Sequence, residues 1–280
     1  MTIQIRRLAW ATDVHLNFCN PERRTLFHEA VRSQDPDALL LGGDIGEAPG
    51  LIGELRALEV KLRMPIFFVL GNHDYYRSTF DQVEARMRAL AQESAALRWL
   101  PEAGVIELSP EVALAGHGGW ADGRNGDYWG SNLELSDYLY IGDFLGLGRR
   151  ERLALLNRQG DAAAAWVRRV IPPALERFRR LIVLMHVPPF QEAAWYEGQM
   201  SHPHYLPHFS SRSTGEALVE AARAHPEREV LVLCGHTHGG GTLEVLPNLT
   251  VVTGAAQYGM PAVAGIIDLE APRLFPAHHS

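Results

Sequence analysis

Cysteine is nearly absent from this chain. Two thiols, Cys19 and Cys234, in 280 residues are too few for a disulfide framework. Cys234 closes an apolar run and is expected in the core, whereas Cys19 follows a candidate ligand patch and is a possible neighbour of the site. Long hydrophobic runs are missing too. No stretch approaches the roughly 18 apolar residues that span a bilayer, so no membrane association is expected. Arg6 and Arg7 precede only a short apolar stretch before Asp13, which is not a leader pattern, and a soluble cytoplasmic protein is expected. There is no basic block. The 26 Lys+Arg, almost all Arg, are scattered against 33 Asp+Glu for a net charge of −7, which argues against an extended nucleic-acid track.

What remains is an ordinary globular composition, 46% hydrophobic and 21% charged. Strands are expected over 5–11, 38–41, 66–70, 105–108, 112–115, 181–185, 230–234, 243–246, 250–253 and 264–269. Helices are expected over 21–33, opened by Asn20-Pro21, over 51–62, over 79–97, over 149–170, stopping before Pro172-Pro173, and over 214–224. Strand and helix alternate in the first third, as in βαβ units, and the last third is mainly β. This predicts an α/β architecture of two packed sheets with helices outside. One domain over 1–280 is expected, with two long excursions at about 117–148 and 187–213. Gly116-His117-Gly118-Gly119 lacks the Lys and helix of a phosphate cradle and reads as a turn. Gly146-x-Gly148-Arg149 reads as a helix lead-in, and His278-His279-Ser280 as a frayed tail.

Five short patches stand at the ends of expected strands: Asp13-Val14-His15, Gly43-Asp44, Gly71-Asn72-His73-Asp74, His186, and Gly235-His236-Thr237-His238. Singly each is weak, since a strand-end His is more often a hydrogen-bonded structural residue and Gly-Asp is usually a turn. Together they occupy equivalent positions at the edge of the sheets where ligands bind in open α/β folds. Two i, i+2 pairs, Asp13/His15 and His236/His238, would aim side chains to one side if strand geometry persisted. Carboxylate, amide and imidazole together suit divalent Mn, Fe or Zn, with no thiolate required. Two such ions about 3.5–4 Å apart would need a bridging carboxylate, for which Asp44 is placed, and could clamp a phosphate during in-line attack.

The ordered set Asp13-x-His15, Gly43-Asp44, Gly71-Asn72-His73-Asp74, His186 and Gly235-His236-x-His238 resembles the calcineurin-like metallophosphoesterase superfamily, across about residues 8–253. The resemblance implies a four-layer α/β/β/α sandwich of two mixed β-sheets with a dinuclear metal site at strand ends. It implies one metal held by Asp13, His15, Asp44 and His238 and a second by Asp44, Asn72, His186 and His236. A hydroxide between them would attack phosphorus. His73 would be catalytic and not a ligand, stabilising charge and protonating the leaving oxygen. Ser/Thr protein phosphatases of that superfamily carry Asp-Arg-Gly after the second-patch Asp and Glu after the third-patch His. Here Asp44 is followed by Ile45-Gly46-Glu47 and His73 by Asp74, which points to the branch acting on small-molecule or nucleotide phosphoesters, with phosphodiesters slightly favoured.

Candidate substrate contacts lie in the excursions: His117, Trp120, Asp122, Arg124 and Asn125 in the first, Trp195, Tyr196, His202 and His204 in the second. An Arg could pair with a phosphate and an aromatic ring could stack on a base. The plainer alternative is packing at the sandwich edge. Two other functions stay open at this point: a binding scaffold that keeps the fold without turnover, and a metal hydrolase of a non-phosphate bond.

Overall fold

A computed structural model describes residues 5–274, so the terminal His278-His279 lies outside the described residues. Along the chain run β1 (Arg7–Ala11), α1 (Pro21–Ser33), β2 (Ala38–Gly42), α2 (Leu51–Leu62), β3 (Ile66–Val69), α3 (Phe80–Glu93), β4 (Leu97–Trp99) and α4 (Leu100–Ala103). There follow β5 (Ile106–Glu107), β6 (Val112–Gly116), α5 (Ser136–Tyr140), α6 (Arg149–Arg177), β7 (Arg180–Leu184), β8 (Trp195–Tyr196), β9 (Gln199–Met200), α7 (Leu206–Phe209) and α8 (Arg212–Ala224). The chain ends through β10 (Glu229–Cys234), β11 (Gly241–Leu246), β12 (Leu249–Thr253) and β13 (Gly265–Asp268).

The strands form two mixed sheets, ordered β13-β1-β2-β3-β4 and β11-β12-β10-β7-β6-β5. In each, the central strands pair in parallel and antiparallel partners close the edge, β13 on β1 in the first and β11 and β5 in the second. The period-two alternation of strand side chains divides the apolar residues among three interlayer spaces. Leu8, Trp10, Leu40 and Phe67 of the first sheet meet Leu114, Ile182, Leu184 and Leu233 of the second. The alternate residues Ala9, Leu39, Leu41 and Phe68 face helices α1, α2 and α3. Ala113, Leu181, Val183 and Val232 face α6 and α8. The result is helices, sheet, sheet and helices, as expected.

Two sequence expectations need correction. Helix α3 stops at Glu93 rather than continuing to Leu97, because the Ser94 hydroxyl accepts from the Ala96 and Leu97 amides and turns the chain into β4. Helix α6 does not end before the prolines: Pro172 and Pro173 sit inside it. A helix-interior proline costs about 3 kcal/mol. Buried Ile171, Ala174 and Leu175 nonetheless hold the last turns against the second sheet. The short hairpin β8–β9 inside the second excursion carried no sequence signal. Among the described residues no helix is long and apolar enough to cross a membrane. Cys234 is a core residue whose thiol burial pushes up to about 12. Buried Cys19 instead faces the carbonyl of His15 at 3.6 Å.

The two excursions pack on each other. The Gly123 amide donates to Pro207 O (3.0 Å), the Asp127 amide to Pro203 O (3.0 Å) and Asn125 Nδ2 to Ser210 Oγ (2.9 Å). The Tyr138 hydroxyl and Ser131 Oγ both meet the His208 ring. This joint layer stands over one side of the strand ends.

Candidate metal centre

Strand geometry does not persist into the patches. Asp13, His15, Asp44, His236 and His238 all adopt left-handed backbone, with φ between 40 and 71. Such conformations cost about 1–3 kcal/mol each and collect at functional sites. The i, i+2 pairs therefore converge through sharp turns, not as continued strands. Backbone bonds hold the turns: the Asp13 amide donates to Gly43 O (3.1 Å) and the His15 amide to Asp44 O (2.9 Å). At Gly71 an added Cβ would run into Asp44 Oδ1 and His186 Cε1, so glycine is what lets the second and third patches touch. Asp74 completes this contact, accepting from the Ile45, Gly46 and Gly71 amides, each at 2.9 Å. It ties two loops together and does not orient His73.

The first group comprises Asp13, His15, Asp44 and His238, whose ligand atoms all lie within 4.8 Å of one another. His15 Nε2 and His238 Nε2 are 3.1 Å apart, His15 Nε2 is 3.6 Å from Asp44 Oδ2, and His238 Nε2 is 3.4 Å from Asp13 Oδ1. Thr12 Oγ1 donates to Asp13 Oδ2 (2.6 Å), and the His236 amide holds the same carboxylate at 3.0 Å.

The second group comprises Asp44, Asn72, His186 and His236, and here the hydrogen bonds decide which atoms carry lone pairs. His186 Nδ1 donates to Gly42 O (2.8 Å), leaving Nε2 as an acceptor. His236 Nε2 donates to His208 O (3.2 Å), leaving Nδ1 as an acceptor. The Asn72 amide donates to Asp137 Oδ1 (2.7 Å), so its oxygen points the other way. Yet Asn72 Oδ1 lies 3.1 Å from His186 Nε2 and 2.9 Å from His236 Nδ1, and Asp44 Oδ1 lies 3.4 Å from His186 Nε2. Four acceptors thus face one another with no proton assigned between them, an arrangement a cation resolves. Asp44 turns Oδ2 to the first group and Oδ1 to the second, as a bridging carboxylate would.

The electrostatics agree with this donor set. Burial, and then the carboxylates of Asp13, Asp74 and Asp137, push Asp44 well above the usual carboxylate range. Burial would also raise Asp13, but the imidazoles of His186, His238 and His15 hold it below that range. Burial lowers His15 to about 2 and His236 to about 4, which keeps these rings neutral and free to ligate. The residues present fit a pair of divalent cations.

Asp137 was not singled out in the sequence. It belongs to α5 in the first excursion, accepts from Asn72 Nδ2 and from Tyr76 Oη (both 2.7 Å), and so fixes which way the amide faces. The second excursion acts similarly on His236 through the His208 carbonyl. Outer partners of this kind typically govern about 10–100-fold in metal affinity. Asp137→Ala is therefore expected to weaken one of two metal-binding steps by about that factor, read by metal titration calorimetry, and to leave the other unchanged. Two unaltered steps would contradict the positioning role.

His73 lies beside both groups. Its Nε2 is 3.9 Å from Asp44 Oδ2, its ring stacks on Tyr76 at 4.3 Å, and burial lowers it to about 4, with His236 adding to the effect. Tyr258, also missed, stands over the first group with its ring 4.4 Å from that of His15 and its hydroxyl 3.5 Å from His73 Nε2. A small cavity of about 190 Å³ opens here between Asp44, Asn72, His73, Asp137 and Tyr258.

The structure separates the expected substrate contacts. Tyr196 and His202 line a cavity that reaches His236 and His238. Trp195 packs its ring against Gly241. Trp120 is a core residue, wedged among Tyr75, Phe80 and Phe144. Arg124 is engaged by Asp161 (2.7 Å) and by the buried Asp122. Asn125 bonds across to Ser210, His117 packs on Trp166 of α6, and His204 meets His202 edge-on. His117 and Trp120 are thus held by aromatic packing, Arg124 by ion pairing and Asn125 by a hydrogen bond, and none of the four lines either cavity at the candidate metals.

A family model described as calcineurin-like phosphoesterase matches residues 6–240. A search of curated proteins gave no significant match. Among solved structures, the chain is similar to phosphopantetheinyl hydrolase from Mycobacterium tuberculosis, with 14% identity over 98% of this chain and 99% of that one and a TM-score of 0.64. It is similar to a dimetal phosphatase from Danio rerio, with 16% identity, 95% and 93% coverage and a TM-score of 0.58. It is also similar to TT1561 of Thermus thermophilus, with 15% identity, 98% coverage of both and a TM-score of 0.52. At these identities the structural likenesses speak to fold alone.

Proposed function

Since this chain belongs to the calcineurin-like phosphoesterase family, we propose that it is a two-metal hydrolase of phosphodiesters, acting on a small molecule or nucleotide. Asp13, His15, Asp44 and His238 would hold one ion, and Asp44, Asn72, His186 and His236 the other. When bound, the pair supplies positive charge for the phosphoryl oxygens and a nucleophile from water near neutral pH. Mn, Fe and Zn all suit the mixed oxygen and nitrogen donors.

The chain's own residues do the remainder. Asp44 sets the spacing of the two groups through its two oxygens. Asp137 and the His208 carbonyl keep Asn72 and His236 facing inward. His73, with its ring fixed on Tyr76, presents an imidazole at the small cavity beside Asp44, where it can donate to a phosphoryl or leaving oxygen. Phe209 and Tyr258 wall that cavity and restrict water around the reacting group.

The observation that carries this reading is the opposed set of acceptors sharing Asp44, beside a cavity that, among the described residues, is lined by no Lys or Arg. A phosphomonoester dianion would find no cationic side chain there beyond the metals themselves, whereas a diester brings one negative charge fewer to be neutralised. With Mn²⁺ added to metal-free protein, bis(p-nitrophenyl) phosphate is expected to have a kcat/KM at least about tenfold above that of p-nitrophenyl phosphate, a difference of about 1.4 kcal/mol. A preference for the monoester would refute the diester reading.

A further inference from the structure

The small cavity at the candidate metals shares a wall with a larger one. His236, His238, Phe209 and Tyr258 line both. The larger cavity holds about 440 Å³, within the range of small-molecule sites, and is walled by the β8–β9 hairpin and the segment that leads into α7. Five of its lining residues are aromatic or thioether, Tyr196, Met200, Tyr205, Phe209 and Tyr258, and the hairpin and the segment after it add the polar Glu197, Gln199, Ser201 and His202. Tyr196 is 55% exposed, Tyr258 51% and Met200 43%, an apolar surface left open beside the reaction site and not folded into a core. Phe209 is fixed edge-on to His236, their ring centroids 5.3 Å apart, so this wall stands in register with the candidate second metal.

Charge narrows what can lie there. Among the described residues neither cavity is lined by Lys or Arg, and the larger one carries Glu197 on the hairpin. Asp44 and Asp137 place two further carboxyl groups at the inner end. Two metals supply positive charge only where the reacting phosphate sits. A second phosphate on the far end of the substrate would lie against tyrosines and a carboxylate, with the His202 imidazole beside it but no Lys or Arg among the described lining residues. Tyrosine, by contrast, offers a large apolar face with a hydroxyl at its edge, which suits a ring or an uncharged chain carrying occasional polar groups.

Resting on the phosphodiesterase reading above, we propose that the larger cavity seats one arm of the substrate, and that this arm is uncharged and largely aromatic or apolar, the reacting phosphate being the only anionic group. Nucleoside di- and triphosphates and sugar bisphosphates are thereby disfavoured.

The test uses the Mn²⁺-loaded full chain and three esters sharing the p-nitrophenolate leaving group: methyl p-nitrophenyl phosphate, phenyl p-nitrophenyl phosphate, and the phenyl ester bearing a second phosphate on its ring. The phenyl ester is expected to exceed the methyl ester by about tenfold or more in kcat/KM, mainly through KM, the scale of burying one ring. The doubly phosphorylated ester is expected to fall below the phenyl ester by at least about tenfold. Tyr196→Ser, at an exposed position that leaves the core untouched, is expected to narrow the phenyl-to-methyl ratio while metal content stays at the wild-type value. Equal kcat/KM for methyl and phenyl esters, or preference for the doubly phosphorylated one, would overturn the assignment of the cavity and leave the phosphodiesterase reading standing. No turnover of any of the three, with Mn²⁺, Fe²⁺ or Zn²⁺, would overturn both.

Discussion

Asp44→Ala and Asp44→Asn are each expected to lose bound metal and turnover together, with kcat/KM reduced by about 10³-fold or more, equivalent to about 4 kcal/mol. The reasoning follows from where the two carboxylate oxygens lie. One faces His15 of the first group at 3.6 Å and the other faces His186 of the second at 3.4 Å, so one substitution removes a ligand from both. Folding is expected to survive. Burial and then the neighbouring carboxylates of Asp13, Asp74 and Asp137 oppose the ionisation of Asp44, so its charge is not what holds the metal-free fold together. Asp44→Asn keeps an oxygen for the His73 amide, which donates to Asp44 Oδ1 at 2.9 Å. The diagnostic readout is thermal: wild-type protein gains stability when Mn²⁺ is added, because the ion binds only the folded state, and both variants lose most of that gain. A variant with undiminished turnover would remove Asp44 from the bridging position.

His73→Ala should give the opposite pattern, an expected fall in kcat of about 10²–10⁴-fold with both metals retained. His73 follows a candidate ligand in sequence, but its ring stacks on Tyr76 and its Nε2 stays 3.9 Å from the nearest Asp44 oxygen. On the proposed reading the imidazole acts on the substrate side of the site. Metal analysis of the purified variant beside its turnover separates the two roles. Metal lost along with activity would place His73 among the ligands.

The layers of the fold were legible in the sequence because each central strand is a short continuous apolar run, as strands buried on both faces must be. The helix boundaries at Pro21, Ser33, Leu51 and Leu62 were legible through caps and amphipathic spacing. Where local rules failed, tertiary packing or a side-chain turn had won. Burial of Ile171, Ala174 and Leu175 carried α6 through two prolines, and the Ser94 hydroxyl cut α3 short. The candidate ligands were legible because each sits just past a strand end. Their left-handed backbone was not, since Asp and His tolerate it without advertising it as glycine does. Asp137 and Tyr258 were invisible for another reason. Asp137 reaches the site from the short helix α5 and Tyr258 from a loop, neither with a periodicity to read, and Asp137 meets Asn72 across 65 residues of chain. Conversely Trp120 and Arg124 looked like substrate contacts because they lie in an excursion, and packing with Phe80 and pairing with Asp161 placed them elsewhere.

The measurement that bears most directly on the central claim is turnover of bis(p-nitrophenyl) phosphate as metal-free wild-type protein is titrated with Mn²⁺, with bound metal counted at each point. Two ligand groups sharing Asp44 predict that activity climbs to a plateau at two equivalents per chain and disappears when a chelator removes them. A plateau at one equivalent, or turnover that survives removal of the metal, would contradict it.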